Sequence, residues 1–218
     1  METRNKHVFW EALVIAIFLF GSGIFIGYLI EINRTSEVLN LYQQTELDIL
    51  DTKILDSMIS LNNLDCEQFF NETVNFADRI YVEAQLLEKY EDSSQLTAGI
   101  LHQHKKYDLL RAQLWVNSIR LKEICPKTFD TVVYFYEYNT KSLDLKSEQS
   151  VFSKKLSELK QEKGGSIIVI PIAGNLDINS INYLKTFYNI SSYPTVIVNE
   201  KIKIDSIEGL NTLADSLN

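Results

Sequence analysis

The sequence predicts an α+β protein with three successive parts. Residues 12–30 form an apolar run without a charged side chain. Residues 32–124 contain no proline and a single glycine, which favours long helices. Residues 131–205 contain β-branched and aromatic runs that alternate with helical patterns, which is typical of a sheet covered by helices. We therefore expect an N-terminal tail and transmembrane helix (1–31), a helical stalk (32–126) and an α/β domain (127–218).

Composition argues against several classes of function. The net charge is −8 and no cluster of Lys and Arg occurs, so a nucleic-acid surface is not expected. The chain has no glycine-rich phosphate loop, and its two cysteines do not have zinc-site spacing. His102 and His104 are two residues apart, so a helix points them to different faces, and we expect both to be exposed. We expect no cofactor, no metal and no catalytic residue.

The apolar run has the length of a membrane anchor. Nineteen residues at about 1.5 Å each span about 28 Å, close to the ~30 Å hydrocarbon core of a bilayer. A cleaved signal peptide is the alternative, but its apolar region is shorter and ends in small residues. Here the run ends in Tyr28, Leu29 and Ile30, so we interpret it as an uncleaved anchor in the lipid bilayer.

Flanking charges and glycines suggest how the anchor is used. Arg4 and Lys6 precede it, and only Arg34 follows closely. This bias favours a cytoplasmic N-terminus and an extracytoplasmic C-terminal domain. Gly23 and Gly27 have the GxxxG spacing that can seat a second helix, so they are candidates for a homodimer contact.

Three helices are expected in the stalk. The first has an apolar face, and a turn at Asn62-Asn63 ends it. The second and third have apolar residues at alternating spacings of four and three, as in a coiled coil, so we expect them to pack as an antiparallel hairpin. The face of the first helix consists of Leu47, Leu50, Ile54, Met58 and Leu61. The seam of the second consists of Cys66, Phe70, Thr73, Ala77, Ile80, Ala84 and Leu87. The seam of the third consists of Leu96, Ile100, Gln103, Tyr107, Leu110, Leu114, Asn117, Leu121 and Ile124.

The hairpin predicts where the two cysteines lie. Cys66 and Cys125 are equidistant from a point near residue 95, just past the polar turn between the two helices. Both therefore fall at the open end of the hairpin, where a disulfide is sterically feasible. The oxidising side of the membrane permits this bond. The alternative is a pair of unpaired buried thiols.

The C-terminal part predicts the element order β-α-β-α-β-β-α. After Pro126 come a strand at 131–138, a helix at 150–162 and a buried strand at 166–172. A helix at 178–189 follows, and strands at 194–198 and 201–205 flank the turn Asn199-Glu200. Residues 208–217 form the last helix. The first two strands should be parallel and the last two antiparallel.

Two segments carry a resemblance to a known family. The stretch YNISSYPTVIVNEK (188–201) resembles the thioredoxin-superfamily segment that leads into a cis-proline and a strand, with Pro194 in the place of that proline, between Tyr193 and Thr195. The strand VVYFYEYN resembles the strand that precedes the redox motif. The layout of the whole chain also resembles uncharacterised single-pass proteins of archaea.

The sequence departs from this family at the redox motif. The CxxC positions are Thr140, Lys141, Ser142 and Leu143, so no thiolate is present for disulfide exchange. The resemblance implies a groove between this loop and the cis-proline loop, in which an extended peptide pairs with backbone groups.

We identify five candidate contributors to this groove, with the alternative that the aromatic ones are ordinary core and surface residues of a strand. They are Tyr193, Pro194, Tyr136, Tyr138 and Phe135. The expected function is a non-enzymatic binding or scaffolding module for peptide or protein partners. Alternatives are a substrate-presenting partner of an envelope oxidoreductase, or a structural stalk that organises oligomers.

Overall fold

The computed structural model of the chain describes residues 2–59, 65–93, 98–125, 129–213 and 217. It is a mixed α+β structure with one four-stranded sheet among these residues. The chain divides into two compact units, Met1–Glu46 and Leu47–Asn218. The predicted turn at Asn62-Asn63, together with Leu61, Leu96 and Pro126, lies outside the described residues.

The first unit is helical. Helix α1 extends over Glu2–Ile59, and its segment Phe9–Ile30 is long and apolar enough to cross a membrane. None of this 22-residue segment is buried within the protein. A Cβ atom added at Gly23 or Gly27 would meet nothing within 4 Å, so each glycine leaves an open notch on the helix surface.

Two further helices form the predicted hairpin. Helix α2 covers Cys66–Ser93 and helix α3 covers Ala98–Ile124. Cys66, at the start of α2, forms a disulfide with Cys125, directly after α3, with a Cα–Cα distance of 5.6 Å. A bond between the outer ends of two consecutive packed helices requires them to run antiparallel. The disulfide and the antiparallel hairpin are therefore confirmed.

The sheet has the predicted element order. Strands β1 (Asp130–Tyr136), β2 (Ile167–Ala173), β3 (Thr195–Val198) and β4 (Ile202–Ile204) lie in the order β2-β1-β3-β4. The β1–β2 pair is parallel, and the β1–β3 and β3–β4 pairs are antiparallel. Helix α4 (Leu143–Lys163) connects β1 to β2, α5 (Asn179–Phe187) follows β2, and α6 (Ile207–Asn211) follows β4.

The β3–β4 connection is a three-residue turn, Asn199–Lys201, in which the Lys201 amide donates to the Val198 carbonyl at 3.0 Å. Asn199 and Glu200 have positive φ angles, 48° and 59°. Two left-handed residues in succession match the twist of a tight hairpin, and asparagine tolerates this conformation well. The predicted hairpin is therefore confirmed at its predicted turn.

Each face of the sheet is covered by different helices. Helices α4 and α6 cover one face, where Val132, Tyr134 and Val196 pack with Phe152 and Leu210 in an apolar core. The alternate residues of the strands, among them fully buried Phe135 and Ile172, lie on the opposite face. Helix α3 lies against this second face, with the Trp115 ring 6.0 Å from that of Phe135.

The contact between α3 and the sheet differs from the predicted stalk. Our sequence analysis placed a boundary at residue 126, whereas Leu47–Asn218 forms a single compact unit. The reason is that α3 has two buried stripes. One is the predicted seam from Ile100 to Leu121, whereas Ile124 at its end is exposed. The other stripe faces the sheet and is largely polar. The second stripe consists of His104, Asp108, Arg111, Trp115 and Ser118.

Candidate functional site

The candidate site lies at the carboxyl ends of the parallel strands β1 and β2. Ligands of open α/β sheets commonly bind outside these ends. Residues 137–142 leave β1 there, and residues 174–178 leave β2. Because Phe135 pairs with Thr195, the segment 188–194 that leads into β3 also ends beside the end of β1. Three connecting segments therefore meet at one edge of the sheet.

The segment after β1 holds the four residues that we predicted to stand in the place of CxxC. Asn139 adopts a left-handed conformation with φ 53°, and the Thr140 hydroxyl accepts a hydrogen bond from the Ser142 amide at 3.3 Å. The Ser142 side chain caps α4 by accepting from the Leu145 amide at 3.3 Å. Lys141 and Leu143 are exposed, and the Leu143 side chain is 79% accessible. The hydroxyl groups here therefore order a turn and a helix start.

The segment before β3 is held by Tyr193 and its neighbours. The Tyr193–Pro194 peptide is cis, and Pro194 is buried. The Tyr193 ring lies directly over Gly174, where any Cβ would overlap it. Lys185 donates hydrogen bonds to the Gly174 carbonyl and to the Tyr193 hydroxyl, the latter at 3.2 Å. The Tyr193 side chain therefore packs within the protein, and only the backbone of this residue is available to bind a ligand.

Three of the four aromatic residues predicted to line a groove, Tyr136, Tyr138 and Phe135, contact α3. The Tyr136 hydroxyl and His104 Nε2 are 2.9 Å apart, and the Tyr138 ring centroid lies 4.0 Å from that of His104. Both tyrosines are half-buried. Phe135 is fully buried between the sheet and Trp115, so its prediction as a groove residue is wrong. Its side chain points to the α3 face because side chains alternate along a strand.

His104 belongs to a buried polar cluster that sequence reasoning missed. We define the polar cluster as His104, Asp108 and Arg111 on α3 together with Tyr136 on β1. Our prediction of an exposed His104 is wrong, since only 7% of the residue is accessible. Asp108 Oδ1 accepts from Arg111 at 3.1 Å and from the Ala173 amide at 3.3 Å. Asp108 Oδ2 lies 3.6 Å from His104 Nε2.

Burial and charge act against each other in the polar cluster. Burial raises the pKa of Asp108, and the opposing charges of Arg111 and His104 offset this only in part. Burial also disfavours the charged form of Arg111. Tyr136 and Asp108 outweigh that effect, so the pKa of Arg111 lies above its ordinary value. Within the polar cluster, the negative charge of Asp108 is therefore the one that its neighbours stabilise least.

The polar cluster fixes α3 to the ends of β1 and β2. Asp108 accepts a hydrogen bond from the amide of Ala173, the last residue of β2, and Tyr136 is the last residue of β1. Among the described residues, no group of three or more His, Cys, Asp and Glu side chains is arranged to hold a metal ion. The arrangement therefore positions the segments that leave β1 and β2.

The disulfide lies at the other end of the sheet. Cys125 precedes Phe129, which packs on Phe70 of α2 with ring centroids 5.4 Å apart, and β1 begins at the next residue, Asp130. Seven strand residues at about 3.3 Å each separate this end from Tyr136 by roughly 20 Å. Both cysteines of the chain are therefore used in a bond remote from the candidate site.

A sequence signal for the polar cluster does exist. His104, Asp108, Arg111 and Trp115 follow one another at spacings of four, three and four, which places them on one helix face. Each of these residues directly follows a residue of the apolar seam in the sequence. Polar residues at helical spacing normally indicate a solvent-exposed helix face. The one argument for a buried face is that a sheet of this kind needs helices on both of its faces.

Comparisons with known proteins do not extend this description, because the chain matches no protein-family model, no curated protein and no solved structure.

Proposed function

We propose that this protein is a membrane-anchored binding module whose thioredoxin-like domain holds extended polypeptides on the extracytoplasmic side without redox chemistry. The β-α-β-α-β-β-α order, with its parallel β1–β2 pair and antiparallel β3–β4 pair, supports the thioredoxin-like assignment. The segments YNISSYPTVIVNEK and VVYFYEYN support it from the sequence.

The observation that carries the proposal is the carboxyl end of β1, where three connecting segments meet. Leu143, at the start of α4, offers an exposed apolar side chain there. The backbone of residues 191–193 borders the same strand end, because Thr195 pairs with Phe135. An extended chain can pair with exposed backbone while an apolar pocket or side chain selects its residues. Lys185 and Gly174 hold this backbone in place through the Tyr193 ring.

The side chains at the end of β1 favour binding of a polypeptide over a chemical reaction with it. Disulfide exchange needs a thiolate, and both cysteines are bonded to each other at the opposite end of the sheet. The Ser142 hydroxyl caps α4, and the Thr140 hydroxyl accepts from the Ser142 amide. Nucleophilic catalysis by a hydroxyl requires an adjacent base, and the His104 imidazole is instead engaged with Tyr136 and Tyr138.

Anchoring and sidedness rest on two features. The Phe9–Ile30 helix has the length and composition of a membrane span. The Cys66–Cys125 disulfide suits an oxidising compartment, and Arg4 and Lys6 before the span favour a cytoplasmic N-terminus. Together they support an extracytoplasmic position for Leu47–Asn218.

Binding of an unfolded polypeptide tests the proposal. The full chain, purified in detergent, is titrated into a fluorescein-labelled, reduced and carboxymethylated protein, and the anisotropy is followed. Leu143→Glu should weaken binding by about tenfold or more, equivalent to about 1.4 kcal/mol, because it places a charge at the apolar contact. Ile202→Glu is the matched control, since this exposed residue pairs with Val198 near the hairpin turn, at the opposite end of the sheet. Equal affinity for all three proteins, or no binding by the wild type, would refute the proposed function.

A further inference from the structure

The C-terminal end of α1 turns its polar side toward the protein. Asp48 and Thr52 are buried, and Asp48 forms an ion pair with Arg79 of α2 at 3.6 Å. Asp56, two turns further on, pairs with Arg120 of α3. This part of α1 is therefore held on the hairpin by charges and hydrogen bonds.

The opposite side of the same helix segment is apolar and exposed. We call it the apolar stripe, and its residues share one face at spacings of three, four and four. The exposed fractions are 60% for Leu47, 57% for Leu50, 59% for Ile54 and 44% for Met58. An amphipathic helix of a monomeric protein normally buries its apolar face and exposes its polar one. This inverted arrangement indicates that something else covers the apolar stripe.

We propose that the apolar stripe is the contact between two copies of this chain, which associate in parallel through this part of α1. Residues at spacings of three and four interdigitate with the same residues of a second helix, as in a two-stranded coiled coil. The borders of the stripe have charges of both signs, Asp51 on one side and Lys53 on the other. Two copies therefore do not oppose surfaces of a single charge.

A bilayer surface suits the apolar stripe less well than a second copy does. Leu47 lies 17 residues after Ile30 (47 − 30), and the intervening segment contains Glu31, Arg34 and Glu37. The net charge of −8 opposes close approach to anionic headgroups. A second copy, in contrast, presents an uncharged stripe of the same length and spacing.

The size of the apolar stripe also favours a second copy over an unrelated partner. Four aliphatic side chains at roughly half exposure offer roughly 400 Å² per copy, whereas stable interfaces bury about 800 Å² per partner. A contact this small forms only between molecules that are already held together. Two copies anchored in one bilayer meet this condition, because the second contact then becomes nearly intramolecular. The inference therefore rests on the anchoring proposed above.

Cysteine cross-linking in native membranes tests the contact. Ile54→Cys lies in the apolar stripe, and Lys53→Cys, the matched control, is also exposed but lies about 100° around the helix. Cys66 and Cys125 stay in their disulfide and do not compete. After mild oxidation, Ile54→Cys should give a reducible dimer in at least fivefold greater yield than Lys53→Cys. Adding Leu50→Glu to Ile54→Cys should abolish this dimer, whereas adding Leu143→Glu should leave it unchanged.

Other outcomes would overturn the inference. Equal yields at both positions would indicate random collision, and a cross-link to a different protein would identify another occupant. A monomer in every lane would show that two copies do not meet there. Fractionation of the same membranes separates this failure from that of the proposed function, because an unanchored chain appears in the soluble fraction. Loss of cross-linking with retained polypeptide binding would refute only the dimer.

Discussion

Trp115 donates its indole N–H to Glu200 at 2.9 Å, which joins the middle of α3 to the turn of the β3–β4 hairpin. The Glu200 carboxylate also accepts from Thr131 and from Lys122, each at 2.6 Å. The Trp115 ring stacks on Tyr188, with centroids 4.7 Å apart. Through these contacts the helical hairpin and the sheet form one core, and we expect them to unfold together.

We predict that Glu200→Gln destabilises the whole Leu47–Asn218 unit by about 2 kcal/mol, because hydrogen bonds to a charged group are worth roughly 1.5–3 kcal/mol. The variant keeps the shape of the side chain but removes the charge that pairs with Lys122. Urea unfolding followed by both tryptophan fluorescence and circular dichroism measures the effect. Glu208→Gln, an exposed glutamate on α6, should cost only a few tenths of a kcal/mol. Separate transitions for helix and sheet signals would contradict a shared core.

We predict that the Cys66–Cys125 bond contributes about 4 kcal/mol to stability, since it closes a loop with a sequence separation of 59 residues. The Cys66→Ser, Cys125→Ser double variant should lose this amount in urea unfolding, and reductant should have no further effect on it. Alkylation of the unfolded wild type without reductant should label neither cysteine. Labelling of both would mean that the bond does not form in the cell.

The sequence predicted the elements of this fold better than their assembly. Apolar seams at helical spacing located α2 and α3, and the equal distances of the cysteines from the polar turn located the disulfide. The Asn199-Glu200 turn was predictable because it lies between two short strand patterns and because asparagine favours turns. Local chemistry fixed each of these features, so single-sequence reasoning reached them.

The packing of α3 on the sheet was not predictable in the same way. Its second stripe presents His104, Asp108 and Arg111, which a pattern based on hydrophobicity assigns to solvent. These groups are buried because Asp108 accepts hydrogen bonds from Arg111 and from the Ala173 amide. The second bond exists only when β2 packs against α3. Helix α4 begins at Leu143, about two turns before the predicted start at residue 150. The Ser142 cap stabilises this end of the helix, so its first turns form without an apolar face.

We predict that the unit Leu47–Asn218 is extracytoplasmic. Protease added to intact cells should remove the chain beyond about residue 35 and leave a membrane-embedded N-terminal fragment. The positive charges Arg4 and Lys6 favour retention of the N-terminus on the inner side. Degradation only after lysis would place the unit in the cytoplasm. An N-terminus that begins beyond Ile30 in the mature protein would instead identify a cleaved signal sequence.

We predict that the full chain has no disulfide reductase activity. Insulin reduction with dithiothreitol as the electron donor should proceed at the rate of the buffer control, because both cysteines are bonded to each other and the proposed thioredoxin-like fold has Thr140 and Leu143 in place of its two reactive cysteines. The double variant Thr140→Cys, Leu143→Cys is an informative counterpart. It places thiols at the start of α4, where a helix N-terminus lowers a thiol pKa, and a rate above background is expected. Turnover by the wild type would mean that the Cys66–Cys125 bond itself exchanges.

The polar cluster gives a pH-dependent prediction. Burial raises the pKa of the Asp108 carboxyl above its ordinary value of 3.8, so the folded protein binds this proton more tightly than the unfolded chain does. The stability that the group contributes is therefore fully present below pH 3.8 and is lost as the pH rises through the folded pKa, by about 1.4 kcal/mol for each unit of elevation.

Asp108→Asn removes this titration and keeps the side-chain volume. We therefore expect its cost, measured by urea unfolding, to be smaller at pH 7.5 than at pH 4.5. Asp205→Asn, at an exposed position after β4, serves as the control and should cost little at either pH. A larger cost of Asp108→Asn at pH 7.5 than at pH 4.5 would contradict a raised pKa of Asp108 in the folded protein. In that case the pairing of the charged carboxylate with Arg111 at 3.1 Å would outweigh the loss of its hydration.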